Sequence, residues 1–339
     1  MKKILIHLLA ALLFVAGFFM LAYPVIQSQM FKYGKRQEIA DFKTSAAEGT
    51  LCIRETGKTG TQAAQQSQGS ELSQTEQSAM SDDGQLLESM RAYNQRIDVE
   101  KQTRLKDPWS YRENIFDFES MGLSDDMIGY ITIDALDVEI PLYIGASEAN
   151  LRQGAAVLTQ TSMPVGGENT NCVIAAHRGG YHGDAMFRDI EILQPGDRIE
   201  ITNLWETLTY EVIKTIVTVP DDLEAVRIVE GEDLVTLVTC HPYGSNNQRY
   251  IVYCSRVQPE DEARTALAGE DLEDDADSVD QSSIGSQGIA YESSQPEIYR
   301  EKIFRMIGFA VFAAGILLVV CRTVFKLIVH KRGISRKKT

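Results

Sequence analysis

Positive charge is in short supply in this 339-residue chain: 33 Lys and Arg stand against 48 Asp and Glu, for a net charge of −15. So acidic a chain repels a phosphate backbone and releases no counterions from it, which excludes nucleic acid as a partner. Histidine and cysteine are scarce as well, at five each. His177, His182, Cys240 and His241 would together supply four zinc ligands, but they include no close pair at the usual zinc spacing. Cys240 and His241 are neighbours on a strand and point apart, so no metal or other cofactor is expected. Residues 56–85 hold almost no apolar side chains and are rich in Gln, Ser, Thr and Gly. Such a segment cannot bury enough surface to fold and reads as a flexible linker.

Long apolar runs, by contrast, are present at both ends. Residues 4–26, "ILIHLLAALLFVAGFFMLAYPVI", are long enough for a bilayer core that needs about 20 residues. A secretory signal is the competing reading, but no small-x-small cleavage site follows, so a retained anchor is expected. A second run, residues 303–321, carries Arg305 near its start and is followed by Arg322, Lys326, Lys331, Arg332, Arg336, Lys337 and Lys338. The positive-inside rule puts that basic tail, and the end bearing Lys2 and Lys3, in the cytoplasm. Two spans through the cell membrane would leave the intervening chain extracytoplasmic.

Between the anchors, residues 86–104 have helical character, with Leu87, Met90 and Tyr93 spaced for one face. Asp107-Pro108 is expected to end that helix. From Ile128 onward the texture is β: seven or eight short segments, among them "NCVIAAH", "DRIEITNL", "LTYEVIKTIVTV", "DLVTLVTC" and "RYIVYCSRV", favour a closed barrel or a sandwich. Residues 260–280 then hold ten carboxylates against Arg264 alone. The chain thus divides into an N-terminal anchor (1–27), a membrane-proximal helix with its linker (28–85), a helix and the segment "DPW" (86–124), the β domain (125–257), an acidic tether expected to be disordered (258–298), a second span (299–329) and a basic tail (330–339).

The thiols separate by position and parity. Cys321 lies in the second span and Cys52 precedes the linker, which leaves Cys172, Cys240 and Cys254 in the β domain. If Cys240 pairs with Arg249 across the loop "HPYGSNNQ", the two share a face and Cys254 takes the other. Cys172 and Cys254 then read as core residues, with a disulfide between them conceivable outside the cell. Among the histidines, His241 faces away from Cys240. His177 closes a strand and opens a Gly-rich loop, which fixes a ring better than the loop interior holding His182. A nucleophilic thiol needs an imidazole to take and return protons, and a guanidinium suits the developing oxyanion. Cys240, His177 and Arg249 supply one of each.

The segment "TLVTC" (236–240), the "NNQRYIVYC" that opens the next strand and the "VIAAHRGG" that follows an earlier one together resemble the sortases, transpeptidases of the Gram-positive cell surface. The resemblance covers residues 125–257 and implies a mainly β fold, a sortase-like eight-stranded β-barrel with short helices, an N-terminal helical and lid region and two flanking transmembrane helices. It implies that Cys240 attacks the threonine carbonyl of an LPXTG-like sorting signal, that His177 acts as general acid and base, and that Arg249 steadies substrate and oxyanion. The signature threonines Thr236 and Thr239 would contact substrate. The second span, "AYN" (92–94) and "DPW" (107–109) resemble the pilus-assembling class C, in which a lid would pair Asp107 with Arg249 and set Trp109 over Cys240. Partners implied are pilin or surface proteins with C-terminal sorting signals, besides the bilayer. A housekeeping sortase that anchors proteins to cell-wall peptide amines, and a non-catalytic β-barrel binding module, remain the alternatives.

Overall fold

Alternation of apolar and polar residues over 127–144 folds as two antiparallel strands, β1 (Met127–Ile133) and β2 (Val138–Ile144), joined through a 3₁₀ turn that ends on Asp137 in the left-handed region. The structure is a computed structural model and describes residues 2–47, 82–103, 105, 116, 118, 126–179, 186–258 and 284–335. Six more strands follow: β3 (Ala155–Val157), β4 (Thr170–Ala175), β5 (Arg198–Asn203), β6 (Thr207–Thr218), β7 (Asp233–His241) and β8 (Gln248–Arg256). They close into one barrel in the order β1-β2-β3-β4-β7-β8-β6-β5, with β5 paired back onto β1. The β2–β3 and β4–β7 pairs are parallel and the others antiparallel. A closed barrel leaves no sheet edge, which resolves the choice between barrel and sandwich.

Two elements escaped the sequence reading. Strand β3 is three residues long, too short for alternation to register, and helix α3 (Glu148–Gln153) spans less than two turns. The start of α3 was nevertheless readable, since Ser147 caps it by accepting from the Asn150 amide at 3.1 Å.

The chain divides into two compact units, residues 33–292 and residues 1–32 with 293–339. In the first, the far end of helix α1 (Lys2–Ala47) lies on the barrel: Ile39 is buried, Phe42 packs edge-on to Tyr130, Lys43 bonds Glu139 at 2.6 Å, and the Tyr143 hydroxyl donates to Glu38. In the second, Phe312 of helix α4 (Gln295–Ser335) stacks on Phe14 and Phe18 of α1. Residues Gln295–Phe325 form the one helix among the described residues that is long and apolar enough to cross a membrane, by length and composition.

Helix α2 (Asp82–Val99) corrects two expectations. Its buried face is Leu86, Met90, Tyr93, Asn94 and Ile97, with Leu87 at the edge. It also stops before residue 104 and well before Pro108, because Lys101 and Gln102 both turn left-handed and the Gln102 amide closes on Ile97 O at 2.9 Å. This is a helix-ending pattern usually made by glycine. Gln102 adopts it with its side chain buried, accepting from the Ile228 amide at 2.8 Å and donating to Gln160 O at 3.4 Å. The "AYN" triplet docks this helix. Asn94 accepts from the Met163 amide at 2.7 Å and donates to Met163 O at 3.2 Å, while the Tyr93 hydroxyl accepts from the Gln160 amide at 3.0 Å. An amide side chain that satisfies both backbone groups of one buried residue is costly to replace, at about 1–3 kcal/mol for each group left unpaired.

The stretch expected to be a disordered tether to residue 298 is instead packed against the barrel at its far end. Ile284 is fully buried in the core cluster, Lys214 Nζ donates to Ile284 O at 2.7 Å, and the Ile289 amide donates to Val217 O at 2.7 Å. Composition could not reveal this, because the contacts run along the backbone of the strap and along β6. Gly285 (φ +59) sits where a Cβ would overlap the Tyr253 hydroxyl, which itself donates to Ala225 O at 2.9 Å. We expect Gly285→Ala to combine left-handed strain with that overlap and cost at least about 2 kcal/mol. Thermal unfolding followed by circular dichroism should then show a midpoint lowered by about 4–8 °C.

Candidate active site

The register of β7 against β8 pairs Cys240 with Arg249, so thiol and guanidinium leave the sheet on one face. The parallel β4–β7 pair runs from Thr170↔Asp233 to Ala175↔Val238. Paired residues in a ladder share a face. Two residues beyond that last pair His177 is therefore level with Cys240 and on its side. A groove of about 270 Å³ collects all three, lined also by Ala146, Leu158, Ala175, Val238 and Thr239, with Glu148 and Leu151 from α3. His177 is exposed, whereas Cys240 and Arg249 are half-buried. Backbone groups hold two of the three in place. His177 O accepts from the Met186 and Phe187 amides at 3.2 and 3.0 Å, and Arg249 Nη1 donates to Asn246 O at 3.0 Å and Gln248 O at 2.9 Å.

The other two barrel thiols lie elsewhere. Cys172 and Cys254 are buried, free, and both paired to Val235, one from each side. A whole strand thus separates them, about 10 Å at the usual strand spacing, and no disulfide forms over that distance. Burial pushes both thiols well up, with the Asp233 charge adding to the effect at Cys172, so neither offers a thiolate.

The two signature threonines differ in placement. Thr239 lines the groove, but its hydroxyl is committed to Ala176 O at 2.8 Å. Thr236 is fully buried and donates to Asn171 Oδ1 at 2.7 Å, so a substrate contact there does not fit its position. Three ladder pairs separate it from Cys240 at the open end of the strand. Asp107 and Trp109, the expected lid, lie outside the described residues, as does His182.

His241 is turned away from the groove into a buried ionic cluster. Its Nδ1 lies 3.0 Å from Arg178 Nη1 and 3.2 Å from Glu191 Oε1, and Arg178 Nη2 donates to Glu191. Burial, chiefly, and the Arg178 charge lower its pKa against the opposing pull of Glu191. Nothing in the spacing of Arg178, Glu191 and His241 betrays this cluster. The "HR" dipeptide is its one visible trace.

Residues 131–257, which carry Cys240, His177 and Arg249 on this barrel, match the family model of the sortase domain. This part of the chain is a sortase domain. Members of the family are cysteine transpeptidases, and they are membrane-associated. The chain is 28% identical over 132 residues to sortase D of Bacillus subtilis (strain 168), a match that covers 38% of this chain and 63% of that one. To sortase A of Bacillus anthracis it is 32% identical over 126 residues, covering 37% of this chain and 58% of that one. The match therefore spans about three fifths of the length of these curated relatives. Among solved structures, sortase C-1 from Streptococcus pneumoniae is similar at 28% identity and a TM-score of 0.50, covering 66% of this chain and 98% of that one.

Proposed function

We propose that this chain is a class C sortase, a cysteine transpeptidase that cleaves an LPXTG-like sorting signal between Thr and Gly and joins the Thr to a pilin lysine. The observation that carries the proposal is the shared face of His177, Cys240 and Arg249 along one groove. As Cys240 Sγ attacks the threonine carbonyl carbon its thiol proton passes to His177, and the oxygen takes the negative charge beside Arg249. The tetrahedral adduct collapses as the Thr–Gly C–N bond breaks, and His177 gives its proton to the departing glycine amine. The thioester is then attacked by the lysine amine, His177 removes a proton from that nitrogen, and sulfur leaves and takes that proton from His177. One peptide bond is exchanged for one isopeptide bond with no net redox change.

Supporting class C are the docked "AYN" helix, the apolar helix at Gln295–Phe325 and the near-complete coverage of sortase C-1. A housekeeping role, transferring proteins to a cell-wall peptide amine, is the second reading, because the relatives in sequence include sortases named D and A. The test is incubation of the full chain with sorting-signal peptides, then intact mass. A thioacyl adduct without added amine, converted to product by a pilin lysine, supports the proposal. Transfer only to a wall-peptide amine supports the housekeeping role, and no adduct with any peptide refutes both.

The lid separates the same two readings. If Asp107 and Trp109 cover Cys240 for 90% of the time or more, Asp107→Ala and Trp109→Ala should each raise the alkylation rate of Cys240 about tenfold or more. Timed labelling with iodoacetamide would show it, and an unchanged rate would argue against class C.

A further inference from the structure

Beyond Ala176, whose amide reaches Val238 O at 3.2 Å, the backbone ladder between β4 and β7 gives way to side chains. Thr239 reaches back to Ala176 O, and one residue further Arg178 reaches across to Cys240 O, with Nη1 at 3.4 Å. Arg178 immediately follows His177 in the chain. Its guanidinium therefore bridges the two strand ends that carry the imidazole and the thiol, at the level where the sheet itself no longer joins them. We propose, resting on the catalytic reading above, that Arg178 is a positioning residue, held by Glu191 and His241, that sets His177 against Cys240.

The cluster is built for rigidity. The side chains of Arg178 and Glu191 are each 2% exposed and that of His241 is 1% exposed. Each group grips a different element. Glu191 sits in the 3₁₀ turn Ile190–Ile192, His241 ends β7, and Arg178 continues β4. Stability alone does not explain such an arrangement. Two buried charges lose their hydration, and an apolar trio of the same volume would serve as well or better. What a fork of fixed N–H groups adds is direction, and apolar packing does not supply it. The back of the cluster is closed by Tyr250 and by Tyr291 of the C-terminal strap, with ring centroids 5.9 and 5.3 Å from that of His241. The strap's Glu292 backbone also hydrogen-bonds the ring. A displacement of about 1 Å between reacting groups lowers a rate by about 10²-fold, so a residue outside the groove can govern turnover.

The test compares Arg178→Met, Arg178→Lys and Glu191→Gln in the full chain, with two readouts. In acylation by a sorting-signal peptide, Arg178→Met should lower kcat about 10²-fold with KM within about threefold, and Arg178→Lys should recover part of the loss. In spectra of protein labelled with ¹³C in its histidine rings, the His177 resonances should shift or broaden in Arg178→Met. Should that variant not fold, Glu191→Gln keeps the shape, removes the charge and carries the same expectations. A folded variant with wild-type kcat, or equal loss in the Lys and Met variants alongside unchanged His177 resonances, overturns the proposal. If the wild type itself forms no adduct, the catalytic reading falls, and the ring spectra alone decide whether Arg178 positions His177.

Discussion

Cys240→Ala should fold as the wild type does and form no acyl adduct, with peptide cleavage reduced by at least about 10³-fold. Cys240 stands half-exposed at the open end of β7, so losing its sulfur opens no cavity in the core. Chemically nothing replaces it. Cys172 and Cys254 are buried around Val235 with their thiols pushed up, and neither lines the groove. The check is intact mass after incubation with peptide, alongside Cys172→Ala and Cys254→Ala. Both of these should retain the adduct while losing some stability, since each removes a buried sulfur. An adduct persisting in Cys240→Ala would move the nucleophile elsewhere and end the catalytic reading.

Arg249→Lys should lower kcat about 10²-fold while the charge at that position stays the same. The guanidinium is a planar fork, and two of its directions are set where Nη1 meets the carbonyls of Asn246 and Gln248. Held in this way, the fork presents its positive charge in a fixed direction to a developing oxyanion. A lysine ammonium on a flexible stem keeps the charge but not the aim. Single-turnover acylation separates this from a binding defect: kcat should fall with KM changing little. A lysine variant of wild-type rate would reduce Arg249 to a diffuse electrostatic role.

Much of the site was legible because strand parity is local. Knowing that Cys240 and Arg249 flank one hairpin loop suffices to place them on one side, and the register bears out that pairing residue by residue. His177 was legible as a strand end beside a Gly-rich loop, but its meeting with Cys240 depends on a parallel pairing between β4 and β7 across nearly sixty intervening residues. Helical spacing found α2 and put Met90 and Tyr93 on its buried face, but took Leu87 in place of Leu86, which is the buried one of the two. Acidic composition suggested that the chain after 258 stays loose throughout, whereas residues 284–292 dock through two glycines and backbone bonds, which leave no mark in composition.

The amino-acid sequence by itself determined the residue types gathered at the groove, the faces of Cys240 and Arg249 and the apolar character of the C-terminal helix, because each of these depends on neighbours a few positions apart. Tertiary structure alone decided that β4 lies beside β7, that Cys172 and Cys254 stand too far apart to bond, and that Arg178 bridges the strand ends behind the groove. Those outcomes follow from closing eight strands into one barrel. Closure brings together side chains whose separation along the chain carries no periodic signal, and fixes them by burial.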